Sequence, residues 1–416
     1  MMTSITIKLY LYLTYIIYFL LVPIGFCFRN STLNKRLLLF KIIPTTNKNT
    51  IWIHGASVGE ILSTYTLVSK LKKNYPNYNI IITSHTVTSK HIVNTKFVAL
   101  AKHYYLPFDC PYLIKKFIKQ HNIKLVLWLE QDFMPATLYT INNKQIPLLL
   151  LNARMSTKSF ANWYKIKPFT ITLLKNFNLI LPMTIKNYKY LKRFSQHVKF
   201  VGNLKYTNTK FNLNKDLIKE LENFFPTQQI FVALSTHDDE EKNIAKVHTE
   251  LVKQYPKLTT IIIPRHPQRC KIIYKQLKKT HPQITIYKRG IQNTSNLYLV
   301  NSIGEVKEFC SMALITFVGK SLSTKQQGGH NPLEPVLLKS CTIFGPFMQN
   351  FTDIVNEILK YKAGLQVNSF EELQEKLKIL LQQKDEFFTI IHNTNKLNTY
   401  SEEILNKYLK EIQCYL

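Results

Sequence analysis

A carboxylate set where a strand gives way to a helix can take a proton from a substrate hydroxyl, and residues 51–60, IWIHGASVGE, offer one in Glu60. The apolar run Ile51-Trp52-Ile53 predicts a strand, and Gly55 and Gly59 a turn. Ile61, Leu62, Tyr65 and Val68 then recur at helical spacing. Such a unit places backbone N–H groups and one side chain at the rim of a parallel sheet. Ser57-x-x-Glu60 is also a capping box, in which Glu60 only returns a hydrogen bond to the helix start. On local pattern the cap is the commoner use.

A second turn feeding a helix lies far downstream, in residues 328–335, GGHNPLEP. Asn331 reads as N-cap, Pro332 as the first helical residue and Glu334 as the third. Two such rims in two halves of one chain suit a two-domain sugar-nucleotide transferase.

The elements that must position them alternate between strand and helix. Residues 79–83, 124–129 and 146–151 predict buried strands in the first half; 229–234, 259–263, 284–287, 313–318 and 341–344 do so in the second. This alternation predicts α/β domains with parallel sheets, whose ligands lie beyond the carboxyl ends of the strands. Those ends carry Glu130 and Arg154 in the first half. In the second they carry His237, Pro264, Arg265, His266, Gly319 and Ser321, with a helix-opening turn at Ile303-Gly304-Glu305. Each alone reads as a cap, a loop residue or a surface ion pair; their concentration at strand ends in both halves points to a site. The polar, lysine-rich residues 203–225 read as an interdomain linker, 370–383 as an amphipathic helix, and 400–416 as a last helix able to cross back to the first domain.

At 416 residues the chain suits two cores. Its six cysteines are scattered without a CxxC pair, which fits reduced thiols. No HExxH or Cys/His cluster signals a metal, so no metal cofactor is expected. Net charge is +30, from 55 Lys+Arg against 25 Asp+Glu. Lysines spread over solvated faces account for most of it; the remaining basic field favours a phospholipid surface or a phosphorylated substrate. With no RNA-binding or helix-turn-helix signature, no nucleic-acid partner is expected. Residues 9–28 hold no charged side chain and are long enough to span a bilayer, although Pro23 and Gly25 also suit a helix lying in one leaflet. Arg29, Lys35, Arg36, Lys41 and Lys48 follow, which sets the bulk of the chain on the cytoplasmic side. The expected organisation is an anchor over residues 1–30, separable from the catalytic core, a first domain over 31–210 and a second over 211–416.

The segments WIHGASVGE, LNARMS, GNLKY, STHDDEE, PRHP, the IGE turn, FVGKSL and GGHNPLEP, in this order, resemble the 3-deoxy-D-manno-octulosonic acid (Kdo) transferases of lipopolysaccharide synthesis. The likeness covers almost the whole chain. It implies a GT-B enzyme with two Rossmann-like domains facing a cleft, held to the bacterial inner membrane by an N-terminal anchor. The implied reaction is inverting transfer of Kdo from CMP-Kdo to a lipid A precursor, a phosphorylated glucosamine disaccharide. By resemblance Glu60 is the general base, and Glu130 and Lys205 support the transition state. Pro264, Arg265, Ile303, Gly304, Glu305, Asn331, Pro332, Leu333 and Glu334 bind CMP. His237, His266, Gly319 and Ser321 are further donor-side candidates, and Ser57 and Arg154 acceptor-side ones. Three positions depart from the family's usual residues: Asp132 replaces a second glutamate, and Asp239 and Lys320 each replace a glycine. A GT-B transferase using a UDP-sugar and a catalytically silent membrane-surface protein are the alternatives. Retention of Glu60, Arg265 and Glu334 argues against the silent one.

Overall fold

The computed structural model describes residues 2–27, 32–37, 47–207, 213–226, 229–291, 295–301, 304–323 and 327–416. Its backbone separates into two compact units, Met1–Asn208 with Ser401–Leu416, and Thr209–Tyr400. The last helix, Lys384–Gln413, starts in the second unit and ends in the first.

The first unit is built on a six-stranded sheet of β1 (Thr50–His54), β2 (Asn79–Ser84), β3 (Lys102–Tyr105), β4 (Ile123–Leu129), β5 (Leu148–Ala153) and β6 (Leu179–Pro182). Their order is β3-β2-β1-β4-β5-β6 and every pair is parallel. This is the doubly wound order, whose switch point between β1 and β4 opens a crevice at the carboxyl ends. Continuous apolar strands with no exposed face, as in β5, are what helices on both sides demand. Trp52, Trp128, Phe117 and Phe177 fill the core. The chain returns to this unit through Tyr408, whose hydroxyl donates to Gly202 O at 3.1 Å. Ile404 lies against Gly202, at φ 118°, so closely that a Cβ would come within 2.6 Å of it. Only glycine fits there.

The second unit carries β7 (Ile230–Thr236), β8 (Thr259–Pro264), β9 (Thr285–Tyr287), β10 (Leu297–Val300), β11 (Ile315–Val318), β12 (Cys341–Phe344) and β13 (Gly364–Gln366). Their parallel order is β13-β12-β11-β7-β8-β10-β9. The stretch expected to be a linker holds instead the helix Lys215–Phe224, whose Leu217 and Leu221 enter this unit's core with Phe225. Its lysines hid an amphipathic spacing.

The N-terminal helix Met2–Cys27 is long and apolar enough, over Ile7–Gly25, to cross a membrane. It differs from a separable anchor, however, because one face packs on the first unit. Ile7, Thr14 and Tyr18 are buried, and the Tyr10 hydroxyl donates to Asp109 Oδ2 at 2.8 Å. The opposite face is an apolar stripe in which Leu9, Tyr12, Leu13, Ile16, Phe19, Leu20 and Ile24 are all exposed. Of the basic flank, Arg36 donates to Leu106 O and Lys35 sits over the Tyr105 ring, while Arg29 and Lys41 lie outside the described residues.

Asp109 ties this helix to the fold. Its buried carboxylate also accepts the N–H groups of Ala136 (3.2 Å) and Thr137 (2.7 Å), capping the helix Pro135–Asn143. Asp109→Ala leaves these donors orphaned and should cost roughly 2–4 kcal/mol, read as a lowered melting temperature in detergent. Asp109→Asn, which keeps an acceptor, should cost less.

Candidate functional site

In the first unit Ser57 caps the helix Val58–Ser63 from an extended conformation, its hydroxyl accepting the Glu60 N–H at 3.3 Å. The Glu60 carboxylate in turn accepts the Ser57 hydroxyl on Oε1 and the Ala56 N–H on Oε2, both at 2.8 Å. The cap that the spacing allows is therefore formed. Each carboxylate oxygen keeps a second lone-pair direction, so capping leaves room for a substrate hydroxyl. Burial pushes the Glu60 carboxyl above the usual glutamate range, Ser57 and Ala56 pull it back, and the charges of Glu130 and Asp132 raise it again.

Glu130 follows β4 at φ 54°, a left-handed conformation that turns its side chain out of the ladder. The buried carboxylate pairs with Lys205 Nζ at 2.9 Å. Lys205 sits on the short turn Leu204–Thr207, which Asn152 holds in place by accepting Leu204 N–H at 3.0 Å. Asn152, itself at φ 53°, lies in the LNARMS segment at a strand end but was not singled out for that role. Arg154, expected on the acceptor side, is exposed and forms no ion pair among the described residues.

In the second unit Pro264 ends β8 and is buried, while Arg265 and His266 are exposed beside it. Arg265 is fixed through its backbone, N–H to Thr236 O at 3.1 Å. His237 and His330 meet Nε2 to Nε2 at 2.8 Å with rings near-parallel, and His266 packs edge-on to His237. Burial, then the charges of His237, Arg265, Lys320 and His266, hold the His330 imidazole down to about 4. His330 was visible within GGHNPLEP but was not singled out. The charges of Arg265 and Lys320 thus reach this histidine pair, an arrangement suited to an anion.

Glu240, another residue the sequence did not single out, is fully buried. Its carboxylate accepts the N–H groups of His237 (3.0 Å), Lys320 (2.7 Å), Ser321 (3.2 Å) and Leu322 (3.4 Å), joining the ends of β7 and β11. Gly319 allows these ends to meet, since a Cβ there would lie 2.5 Å from Ser235 O. Ser321 is a correction. It is fully buried and its hydroxyl is used between Val318 O and Gly345 N–H, which makes it structural rather than a donor contact.

The expected cap shifts by one residue: the helix is only Leu333–Leu337 with Pro332 as its N-cap, so Glu334 is second rather than third, and Asn331 makes an Asx turn instead, its Oδ1 accepting Leu333 N–H at 3.1 Å. Pro332 and Leu333 are buried and serve packing. Glu334 is half-buried; burial raises its carboxyl, Lys307 lowers it and Glu308 raises it. Gly304, at φ 98°, precedes Glu305, the N-cap residue of Val306–Met312. Ile303 lies outside the described residues.

Comparison with known proteins bears on this geometry directly. The chain is 33% identical over 377 residues to the 3-deoxy-D-manno-octulosonic acid transferase of Rickettsia felis, covering 89% of this chain and 80% of that one. The chain belongs to the Kdo transferase family. The Haemophilus influenzae enzyme of that name is 32% identical, covering 80% of each chain. A family profile described as 3-deoxy-D-manno-octulosonic-acid transferase matches residues 31–208. A solved glycosyltransferase from Rickettsia africae superposes with a TM-score of 0.59 at 14% identity, covering 89% of this chain and 99% of that one, a likeness of fold alone. The chain is thus a glycosyltransferase of GT-B type.

Lys320 and Asp239, which the resemblance set where glycines are usual, adopt φ 60° and 75°, a conformation that favours glycine. A side chain there costs about 1–2 kcal/mol of backbone strain. Lys320→Gly should therefore stabilise the second unit by about 0.5–1 kcal/mol net of the glycine's unfolded-state entropy, raising the melting temperature.

Proposed function

We propose that this chain transfers Kdo from CMP-Kdo to a primary hydroxyl of a phosphorylated glucosamine disaccharide lipid, with Glu60 as general base. The observation that carries this reading is the half-buried Glu60 carboxylate at the β1 rim, close enough to the Glu130–Lys205 pair for the charge of Glu130 to bear on it. The acceptor oxygen attacks the anomeric carbon and its proton passes to Glu60. The bond from that carbon to the phosphate oxygen breaks, and CMP leaves with the electron pair. Configuration at the anomeric carbon inverts. Lys205, oriented by Glu130, offers a cation to the developing negative charge.

The second unit holds the nucleotide. Arg265 and the histidines at the β7 and β8 ends face the leaving phosphate, and Asn331 lies on the same side. Glu334 accepts the ribose hydroxyls, and the Gly304-Glu305 turn closes the pocket. Ser57 and Arg154 belong to the acceptor side. The exposed stripe of Met2–Cys27 lies in the bilayer surface with the lipid acceptor, on the cytoplasmic face of the inner membrane. Helices that present one apolar face to lipid while the other packs on a domain lie in the interfacial plane. That is the reading favoured by the burial of Ile7, Thr14 and Tyr18.

Glu60→Gln should leave the fold intact, since glutamine still serves the cap, and lower turnover by ~10²–10⁴. Because its carboxyl is raised and the base must be ionised, wild-type kcat/KM should fall as pH drops through a value above the ordinary glutamate range. Near-normal turnover of the variant would show that Glu60 only caps. In calorimetric titration, Arg265→Ala and Glu334→Ala should each weaken CMP binding by roughly 10–100-fold, a loss of about 1.5–3 kcal/mol. Unchanged CMP affinity in both would place the nucleotide elsewhere.

A further inference from the structure

His54 ends β1, His85 follows β2 and Asp132 follows β4, and β1 lies between the other two in the sheet. Three neighbouring strands therefore deliver two imidazoles and a carboxylate to one point. Nε2 of His54 and Nε2 of His85 lie 2.9 and 2.7 Å from the same Asp132 Oδ2, and the donor atoms all fall within 4.8 Å of one another. We propose that these three side chains form a binding site for a divalent transition metal of the zinc class. The proposal does not depend on Glu60 being the base, because its test reads binding and not turnover.

The surroundings are those of a metal site rather than of a chance contact. His54 is fully buried and its other nitrogen, Nδ1, lies 3.0 Å from Thr83 Oγ1, which also accepts the Trp52 indole N–H at 2.8 Å. Thr83 fixes the ring through Nδ1, as outer-shell partners do for metal-bound imidazoles; on binding, the ring proton would leave Nε2 for Nδ1, where Thr83 Oγ1 can accept it. The Trp128 ring lies 4.2 Å from that of His54, and its indole N–H donates to Asp132 O, so ring and loop are both clamped. The side chains of His85 and Asp132 are 23% and 24% exposed, which gives an entry path and leaves coordination positions open.

The protonation states suit ligands. Burial holds the His54 imidazole low, hence neutral. Burial would raise the Asp132 carboxyl, but its bonds from His54 and His85 outweigh that and keep it well below the usual range, hence ionised. Two imidazoles with one carboxylate favour borderline cations such as Zn²⁺ or Co²⁺ over Mg²⁺ or Ca²⁺. Bonds of about 2.0–2.1 Å set tetrahedral ligands about 3.4 Å apart, so the two histidine–carboxylate contacts would open by about half an ångström. The partly exposed His85 and Asp132 allow it, with His54 as the fixed post. The proposal departs from the expectation that no metal binds, which rested on sequence spacing alone. Here the ligands are separated by many residues and only the sheet unites them.

The test is titration of the metal-stripped full chain in detergent with Co²⁺, followed by its visible ligand-field absorption and by competition with Zn²⁺. A single equivalent should saturate the site. His85→Ala and Asp132→Asn should each weaken binding by at least about 100-fold, since loss of even an outer-shell partner costs ~10–100-fold. Should Asp132→Asn fail to fold by circular dichroism, the more exposed His85→Ala decides alone. No saturable binding would overturn the site and leave the three side chains as a hydrogen-bonded relay. So would binding that survives His85→Ala, or that is lost instead in His330→Ala.

Discussion

The strand ends of both units depend on backbone that leaves its sheet in the left-handed region. Glu130, Asn152, Ser235 and Lys320 all take φ between 53° and 60° at or just beyond strand ends. The ladders shift register beside two of them, between Leu150 and Ala153 and between Leu234 and Thr236. Such bulges re-aim side chains that a regular strand would bury. Each such residue costs about 1–2 kcal/mol, so the conformations persist only where contacts nearby over-determine them. In the first unit those contacts are the Glu130–Lys205 pair and the Asn152 bond to Leu204. In the second they are the four N–H bonds gathered by Glu240 and the glycine contact at Gly319.

The same economy explains why structural and functional readings of these residues do not exclude each other. Glu60 caps a helix with both carboxylate oxygens, and burial still pushes its carboxyl above the usual glutamate range. Asn331 likewise holds the turn before its short helix, accepting Leu333 N–H, while remaining exposed. A cap fixes the carboxylate or amide in one rotamer, and fixed geometry is what a catalytic or binding group requires. Ser321 is the opposite case: buried, with its hydroxyl consumed by backbone, it has nothing left to offer a ligand.

Much of this was legible in the chain. Long apolar runs such as 124–129 and 341–344 became β4 and β12 because buried parallel strands need continuous hydrophobic residues. The strands missed were β3 (Lys102–Tyr105), β6 (Leu179–Pro182), β10 (Leu297–Val300) and β13 (Gly364–Gln366), which are short and near or at sheet edges, where pattern is weakest. Lys215–Phe224 was hidden by its charge. Turn motifs pointed to Glu60, Arg265 and Glu334, because glycines and caps are local signals. Asp132 drew notice only as a departure from the family, and Glu240 and the meeting of Asp132 with His54 and His85 left no local trace. Their partners are distant in sequence and are joined only by strand order.

The proposed activity is transfer of Kdo from CMP-Kdo to a phosphorylated glucosamine disaccharide lipid. Incubating the purified chain with CMP-Kdo and a phosphorylated glucosamine disaccharide lipid, then weighing the lipid by mass spectrometry, tests it most directly. The predicted result is a lipid heavier by one or more whole Kdo residues, with matching CMP release and no product when UDP-sugars replace the donor. An unmodified lipid with CMP-Kdo, or a lipid extended by a hexosamine from a UDP-sugar, would contradict it.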